Sequence, residues 1–216
     1  MPTSTWTRLS PVRRERVLVA AMDEFGTHGY STGSLNVIAR EAGVAKGSLF
    51  QYFEGKLDLF AYVAEQTSLR VYAAMRPWLD GYDGSTEFSR HLTDALEAWF
   101  DYFAGHPLER GVTAATNMEL DPAVRNAVRA PVQDMYLAGL RPLVERAVET
   151  GDLRKGADVD ALLSLLLVLL PHLALAAHTL GLEGPVRLAG EHPEVRRANI
   201  ARLIGPVLAD FVPKGP

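Results

Sequence analysis

An all-α fold of about nine helices is predicted by three features of this chain. Apolar residues recur at helical spacing, glycine and proline interrupt them at regular intervals, and no alternating β pattern of useful length occurs. With 216 residues, 48% apolar and 22% charged, the chain can build one small and one larger helical domain. The expected boundary separates a three-helix amino-terminal domain at 1–56 from a larger helical domain at 57–216.

The first helix is expected over 11–29, opened by Ser10 as cap and by Pro11 at the first helical position, where a missing N–H is no loss. Gly29-Tyr30 turns the chain, and Ser34 caps a short helix from Leu35 to Glu41 with Ile38 and Ala42 on one face. Gly43 ends that helix, because glycine takes positive φ without steric cost, and a second short helix starts near Ala45. Val44 and Leu49 face back onto Ile38 and Ala42, and Ala39, with nothing beyond Cβ, lets the two helices cross closely. The opposite face carries Lys46, Gly47, Ser48, Gln51 and Tyr52, a set of donors, acceptors and one cation with little apolar bulk. Such a surface suits a nucleic-acid groove. Gly47 weakens its helix by about 1 kcal/mol relative to alanine, and close approach of the backbone to DNA would account for it. Lys46 and Lys56 stand at the starts of two consecutive helices, where a cation opposes the helix dipole and needs another reason to be present.

The following helix should span 55–79, bury Phe60, Val63, Ala64, Val71 and Trp78, and end at Asp80-Gly81-Tyr82-Asp83-Gly84. Leu92, Leu96, Trp99 and Phe103 then form a core stripe that stops at Gly105-His106-Pro107. A short helix reaches Met118, and Asp121-Pro122 opens the next, which passes through Met135, Leu140 and Val144 to Thr150-Gly151. Residues 161–177, ALLSLLLVLLPHLALAA, approach membrane-spanning length but fall short of the roughly 18–20 apolar residues required, and they include Pro171 and His172. A helix apolar all round is otherwise buried on every side, which in a chain this small points to a second subunit. The last helix, 193–212, supplies a matching stripe in Ile200, Leu203, Ile204, Val207, Leu208 and Phe211. With Leu162, Leu166 and Leu169 it would form a four-helix interface in a homodimer.

The run IAREAGVAKGSLFQYFEGK, residues 38–56, resembles the signature of the TetR family of bacterial transcriptional regulators in its Ile-Ala pair, Ala-Gly-Val turn, Gly-x-Leu-aromatic and closing Tyr-Phe. Its companions are the amphipathic first helix, Phe25 with the Gly29-Tyr30 turn, and the long helix opening at Gly55-Lys56-Leu57. The resemblance implies a helix-turn-helix domain followed by a helical ligand-binding and dimerisation domain. It further implies that Lys46, Gly47, Ser48, Phe50 and Gln51 approach base edges while Tyr52 and Lys56 hold phosphates, with Ser34 also donating to the DNA backbone. Tyr52 can equally pack on Val44 and Leu49, since a phenol has one apolar and one polar end. Two departures stand out: Ala45 occupies a position where family members often have Ser or Thr, and Phe50 one where Tyr is common. The implied partners are a palindromic double-stranded operator, a second copy of the chain and a small-molecule effector.

Net charge is −4, yet residues 1–56 carry seven Lys or Arg against five acids, so the excess of acid falls on the remainder. That asymmetry turns the amino-terminal end toward phosphates, and Arg13 and Arg14, at the start of the first helix, are candidates for contact. The absence of cysteine excludes disulfides, thiolate catalysis and cysteine-ligated zinc, and suits a reducing cytosol. MPTSTWTRLS shows neither a signal pattern nor a cleavage site, so a cytoplasmic location is expected.

Candidate pocket residues are Trp99, Phe103, Met118, Tyr136, His172 and His178, for an apolar or aromatic ligand with few polar groups. His172 follows Pro171, which frees a backbone carbonyl and bends the helix. An enzyme is not expected: His172 and His178 are six apart, not the four that place two ligands on one helical face, and neither a Gly-rich phosphate loop nor a serine nucleophile motif occurs. Asp158-Val159-Asp160 lacks the rest of a calcium loop and suits a helix cap, so neither a metal nor a cofactor is expected. The competing reading is a helix-turn-helix interaction or architectural protein without an inducer.

Overall fold

The computed structural model describes residues 2–179 and 181–213. Among these the regular structure is entirely helical: α1 Ser4–Thr7, α2 Pro11–Thr32, α3 Leu35–Glu41, α4 Lys46–Tyr52, α5 Lys56–Asp80, α6 Phe88–Gly105, α7 Pro107–Asn117, α8 Pro122–Thr150, α9 Val159–Leu175 with a 3-10 turn at Ala176–His178, and α10 Pro193–Leu208. The expected all-α class is found. The sequence pattern missed α1, while the expected turn at Gly29-Tyr30 is found: Gly29 leaves helical geometry at φ 71° and kinks α2, which resumes to Thr32.

Two compact units form. The first combines Met1–Val71 with His106–Val132, so it continues past residue 56 and adds a separate stretch of chain. The early turns of α5 bury Leu59, Phe60, Val63 and Ala64 in the same core as Val17, Met22, Phe25, Ile38 and Leu49, and α7 and α8 add Val112, Val124 and Val128. Helices α2 and α7 pack closely because Gly26 and Gly111 meet without side chains: a Cβ on Gly111 would lie 3.0 Å from the Gly26 Cα. Beside this contact Arg70 joins three helices. Its guanidinium donates to both carboxylate oxygens of Glu15, at 2.7 and 2.9 Å, and lies 3.5 Å from the buried Glu109 carboxylate.

The second unit comprises Tyr72–Gly105 and Gln133–Pro216. The expected stripe of Leu92, Leu96, Trp99 and Phe103 is buried on α6. Against α6 packs α10, tied by Arg196 to Asp101 at 2.8 Å and by Arg197 to Glu97 at 3.2 Å and to Asp94. Asp158 caps α9, accepting from the Ala161 N–H at 3.0 Å. The buried Tyr82 hydroxyl donates to Asp152 beside Thr150, and burial together with that hydrogen bond pushes its pKa up to about 12. Val159–His178 is apolar and long enough to cross a bilayer, and it buries Leu162, Leu163, Leu166, Leu170 and Leu173 within the unit while leaving Leu165 and Val168 exposed.

Candidate nucleic-acid interface

Helices α3 and α4 are joined by the expected turn: Gly43 adopts φ 65°, its N–H donates to the Arg40 carbonyl at 3.1 Å, and Val44 donates to the Ala39 carbonyl at 2.9 Å. Ile38, Ala39, Ala42 and Leu49 are all buried at the crossing. A side chain larger than alanine at position 39 would force the helices apart. Ser34 occupies the N-cap position of α3 but its hydroxyl makes no cap bond, a correction to the expectation. Its backbone N–H instead donates to Glu24 Oε1 at 2.7 Å, which fixes the entry to α3 from a buried carboxylate on α2. Ala45 caps α4 without a side-chain bond, as its methyl group dictates.

The outward face of α4 presents Lys46, Gly47, Phe50 and Gln51 to solvent, with Ser48 half-buried. Phe50 is 50% exposed, an apolar ring left in water on an otherwise polar face. Tyr52 takes the alternative reading: it is 3% exposed and its ring lies 5.7 Å from that of Trp6, so its phenol is set into the core rather than aimed outward. Lys56 is engaged within the unit, donating from Nζ to the Ser31 carbonyl at 3.1 Å and lying 4.8 Å from the Tyr30 ring centre. An ammonium has three donors, and these contacts leave room for a further anion. Arg13 is exposed and Arg14 half-buried at the start of α2, where the Arg13 N–H donates to the Ser10 hydroxyl at 3.4 Å.

Residues that sequence reasoning missed support the end of α4 from inside the unit. Trp6 is buried with its ring 4.9 Å from Phe53 and 5.4 Å from Tyr62, and Thr3 bonds the end of α4. A tryptophan among serines and threonines was the available signal, and four helical residues are too few to show a period.

In the second unit a cavity of ≈ 50 Å³ is walled by Tyr72, Met75, Trp78 and Leu79 of α5, Ala95, Leu96 and Trp99 of α6, Tyr136, Leu140 and Leu143 of α8, and Leu170 of α9. Its lining is almost wholly apolar, because the Trp99 indole N–H is spent on the Leu170 carbonyl at 2.9 Å. Of the candidate pocket residues only Trp99 and Tyr136 line it. Phe103 is buried with its ring 4.9 Å from that of Trp99, outside the lining. Met118 belongs to the first unit and is exposed. His172 is exposed on α9, which continues as helix through Pro171, and the exposed His178 stacks on Phe100 at 6.1 Å. This cavity thus brings together Trp99 and Tyr136, and the other four candidates lie outside its lining.

The structure also divides the candidate interface residues by burial within the single chain. Leu162, Leu166, Ile200, Ile204, Leu208 and Phe211 are buried in the chain's own core, since α6, α9 and α10 pack on one another. Only Leu169, Leu203 and Val207 of the expected set reach the surface, partly, while Leu165 and Val168 on α9 are exposed by 45% and 75%. Among the described residues no group of His, Cys, Asp and Glu is placed to hold a metal ion.

Residues 17–63 match the model of bacterial regulatory proteins of the tetR family, and residues 85–183 that of the tetracyclin repressor-like C-terminal domain. The chain is 33% identical over 90 residues to the HTH-type transcriptional activator FasR of Mycolicibacterium smegmatis, a match covering 42% of this chain and 40% of that protein. It is therefore matched over less than half of that relative's length. The HTH-type transcriptional repressor AcnR of Corynebacterium diphtheriae is 26% identical over 168 residues, 75% of this chain and 78% of that one. The transcriptional regulator FadR of Bacillus subtilis, solved in complex with stearoyl-CoA, shares the fold at a TM-score of 0.66 and 17% identity, covering 92% of this chain and 97% of the other.

Proposed function

Since this chain belongs to the TetR family of bacterial transcriptional regulators, we propose that it is a cytoplasmic, homodimeric repressor that reads a palindromic DNA operator through α4 and leaves it when a small apolar or aromatic ligand binds. The observation that carries the reading is the division of α4: Leu49 and Tyr52 are locked inward, while Lys46, Gly47, Phe50 and Gln51 remain in solvent with no structural use for their exposure. On DNA, Gln51 and Lys46 supply hydrogen bonds to base edges, Phe50 supplies an apolar contact suited to a thymine methyl, and Gly47 lets the backbone come close. Arg13, Arg14, Ser34 and Lys56 are the candidates for phosphate contact, which sets register without reading sequence.

One α4 covers too few base pairs for useful specificity, whereas two related by a twofold axis read half-sites roughly 34–36 Å apart. Leu165, Val168, Leu169, Leu203 and Val207 supply the apolar surface on which a second copy would dock.

The effector reading rests on the cavity. At ≈ 50 Å³ it is smaller than a ligand of drug size requires, so an occupant must part its walls. Four of those walls' residues lie on the last turns of α5, the same helix that begins at Lys56 directly after α4. A ligand that prefers the parted state shifts the population toward it, and equal affinity for both states would shift nothing. The stearoyl-CoA held by the Bacillus subtilis relative makes a long acyl chain the first probe. The test is release of the chain from its selected operator by palmitoyl-CoA, with Ala95→Phe, which fills the cavity, abolishing release while operator affinity is kept. Release that persists in Ala95→Phe would place the effector elsewhere. Operator affinity that is the same without ligand, with acyl-CoA and with each of a set of aromatic probes would favour a regulator without an inducer.

A further inference from the structure

Helix α4 is weak by its own composition. It has seven residues, no side-chain cap at Ala45 and a glycine at its second position. Isolated helices of that length do not persist in water, so α4 depends on what is built around it. Its carboxy-terminal carbonyls are the exposed liability, since the last four carbonyls of a helix lack partners within it. The amino terminus of the chain answers two of them: the Thr3 hydroxyl donates to the Gln51 carbonyl at 2.6 Å, and the Thr3 N–H donates to the Tyr52 carbonyl at 2.9 Å. Three residues on, Trp6 is 2% exposed and packs its ring against Tyr52, Phe53 and Tyr62, bridging the end of α4 and the beginning of α5.

We infer that residues 3–6 form a clamp that sets the position of α4 on the DNA, making Thr3 and Trp6 positioning residues for base readout. The inference rests on the DNA-reading function proposed above. Thr3 bonds the backbone of Gln51, a residue of the reading face, so movement of this segment moves a base-contacting side chain directly. Loosening the clamp costs discrimination first. Phosphate contacts carry no sequence information and hold correct and scrambled duplexes alike, whereas hydrogen bonds to base edges are made only on the correct sequence and depend on where α4 sits. The expected signature is a fall in binding to the correct sequence with little change in binding to a scrambled one.

The experiment compares the full chain with Trp6→Ala, Trp6→Phe and Thr3→Val, each titrated against the selected duplex and a scrambled duplex at one salt concentration. Trp6→Ala is expected to lower the ratio of the two affinities by about tenfold, the loss of one good base contact, and Trp6→Phe to restore most of it. Thr3→Val, which removes only the hydroxyl, keeps the core intact and gives a smaller fall of the same kind. Amide hydrogen exchange supplies a readout free of DNA: the amides of α4 should exchange faster in Trp6→Ala and Thr3→Val while those of α2 are unchanged. An unchanged affinity ratio with unchanged α4 exchange overturns the clamp. Faster exchange throughout the first unit, with both affinities falling together, reduces Trp6 to a general core residue and overturns it too. A wild-type chain that binds both duplexes equally overturns the DNA-reading function itself, and is told apart by failing before any substitution is made.

Discussion

Replacing Arg70 by alanine tests whether the first unit is held by a charge bridge across its helices. The Glu109 side chain is 9% exposed and that of Arg70 34%, with 3.5 Å between their charged atoms, whereas the Glu15 side chain is 54% exposed. Breaking a fully buried pair by removing one partner costs about 3–5 kcal/mol, because the other charge is stranded. Partial exposure of Arg70 and the long contact scale this to about 2–3 kcal/mol for Arg70→Ala. Glu15→Ala removes an exposed partner and should cost about 0–1 kcal/mol. The gap of about 2 kcal/mol corresponds to roughly thirtyfold in the folding equilibrium. Urea unfolding followed by fluorescence measures it, with Trp6 as the tryptophan of the first unit. Adding Glu109→Gln to Arg70→Ala should recover part of the loss, since an amide in that site strands no charge. Equal losses for Arg70→Ala and Glu15→Ala, or no recovery in the double variant, would refute the reasoning.

Other consequences follow from the second unit. Leu165→Glu with Val168→Glu should yield folded monomers with weak operator binding, because each charge would be buried unpaired in a dimer at a cost of several kcal/mol, while Ile204→Glu should instead damage the fold; sedimentation and circular dichroism separate the two. Tyr82 has its pKa raised to about 12, so the neutral phenol is favoured by the folded state. Its contribution is complete below about pH 10, the unfolded value, and is lost as pH rises through about 12. Thermal midpoints taken across that window should fall more steeply for the wild type than for Tyr82→Phe.

The helix-turn-helix was legible because its determinants are local. Ile38, Ala42, Gly43 and Leu49 lie within a dozen residues, and each does what its spacing and chemistry imply. Trp6 was illegible for the opposite reason: its partners lie 46 to 56 positions away in the chain, and a four-residue helix offers no period to read. Apolar helix α9 could be recognised as buried, but not which neighbour buries each side. The chain's own helices claim Leu162 and Leu166, and what remains exposed is Leu165 and Val168. Met118 illustrates the effect of topology on the pocket, since α7 returns the chain to the first unit, far in sequence from the helix-turn-helix. Tyr72, Met75 and Leu140 line the cavity, yet in sequence they are indistinguishable from ordinary core residues.

The most direct test of the central claim is selection of bound sequences from random double-stranded DNA by the purified chain, followed by titration of the recovered sequence against salt. The account predicts a palindrome whose half-sites lie about one helical turn apart, bound with strong salt dependence, and a changed base preference in Gln51→Ala. Recovery of a sequence without twofold symmetry, or the same preference in Gln51→Ala as in the wild type, would contradict it.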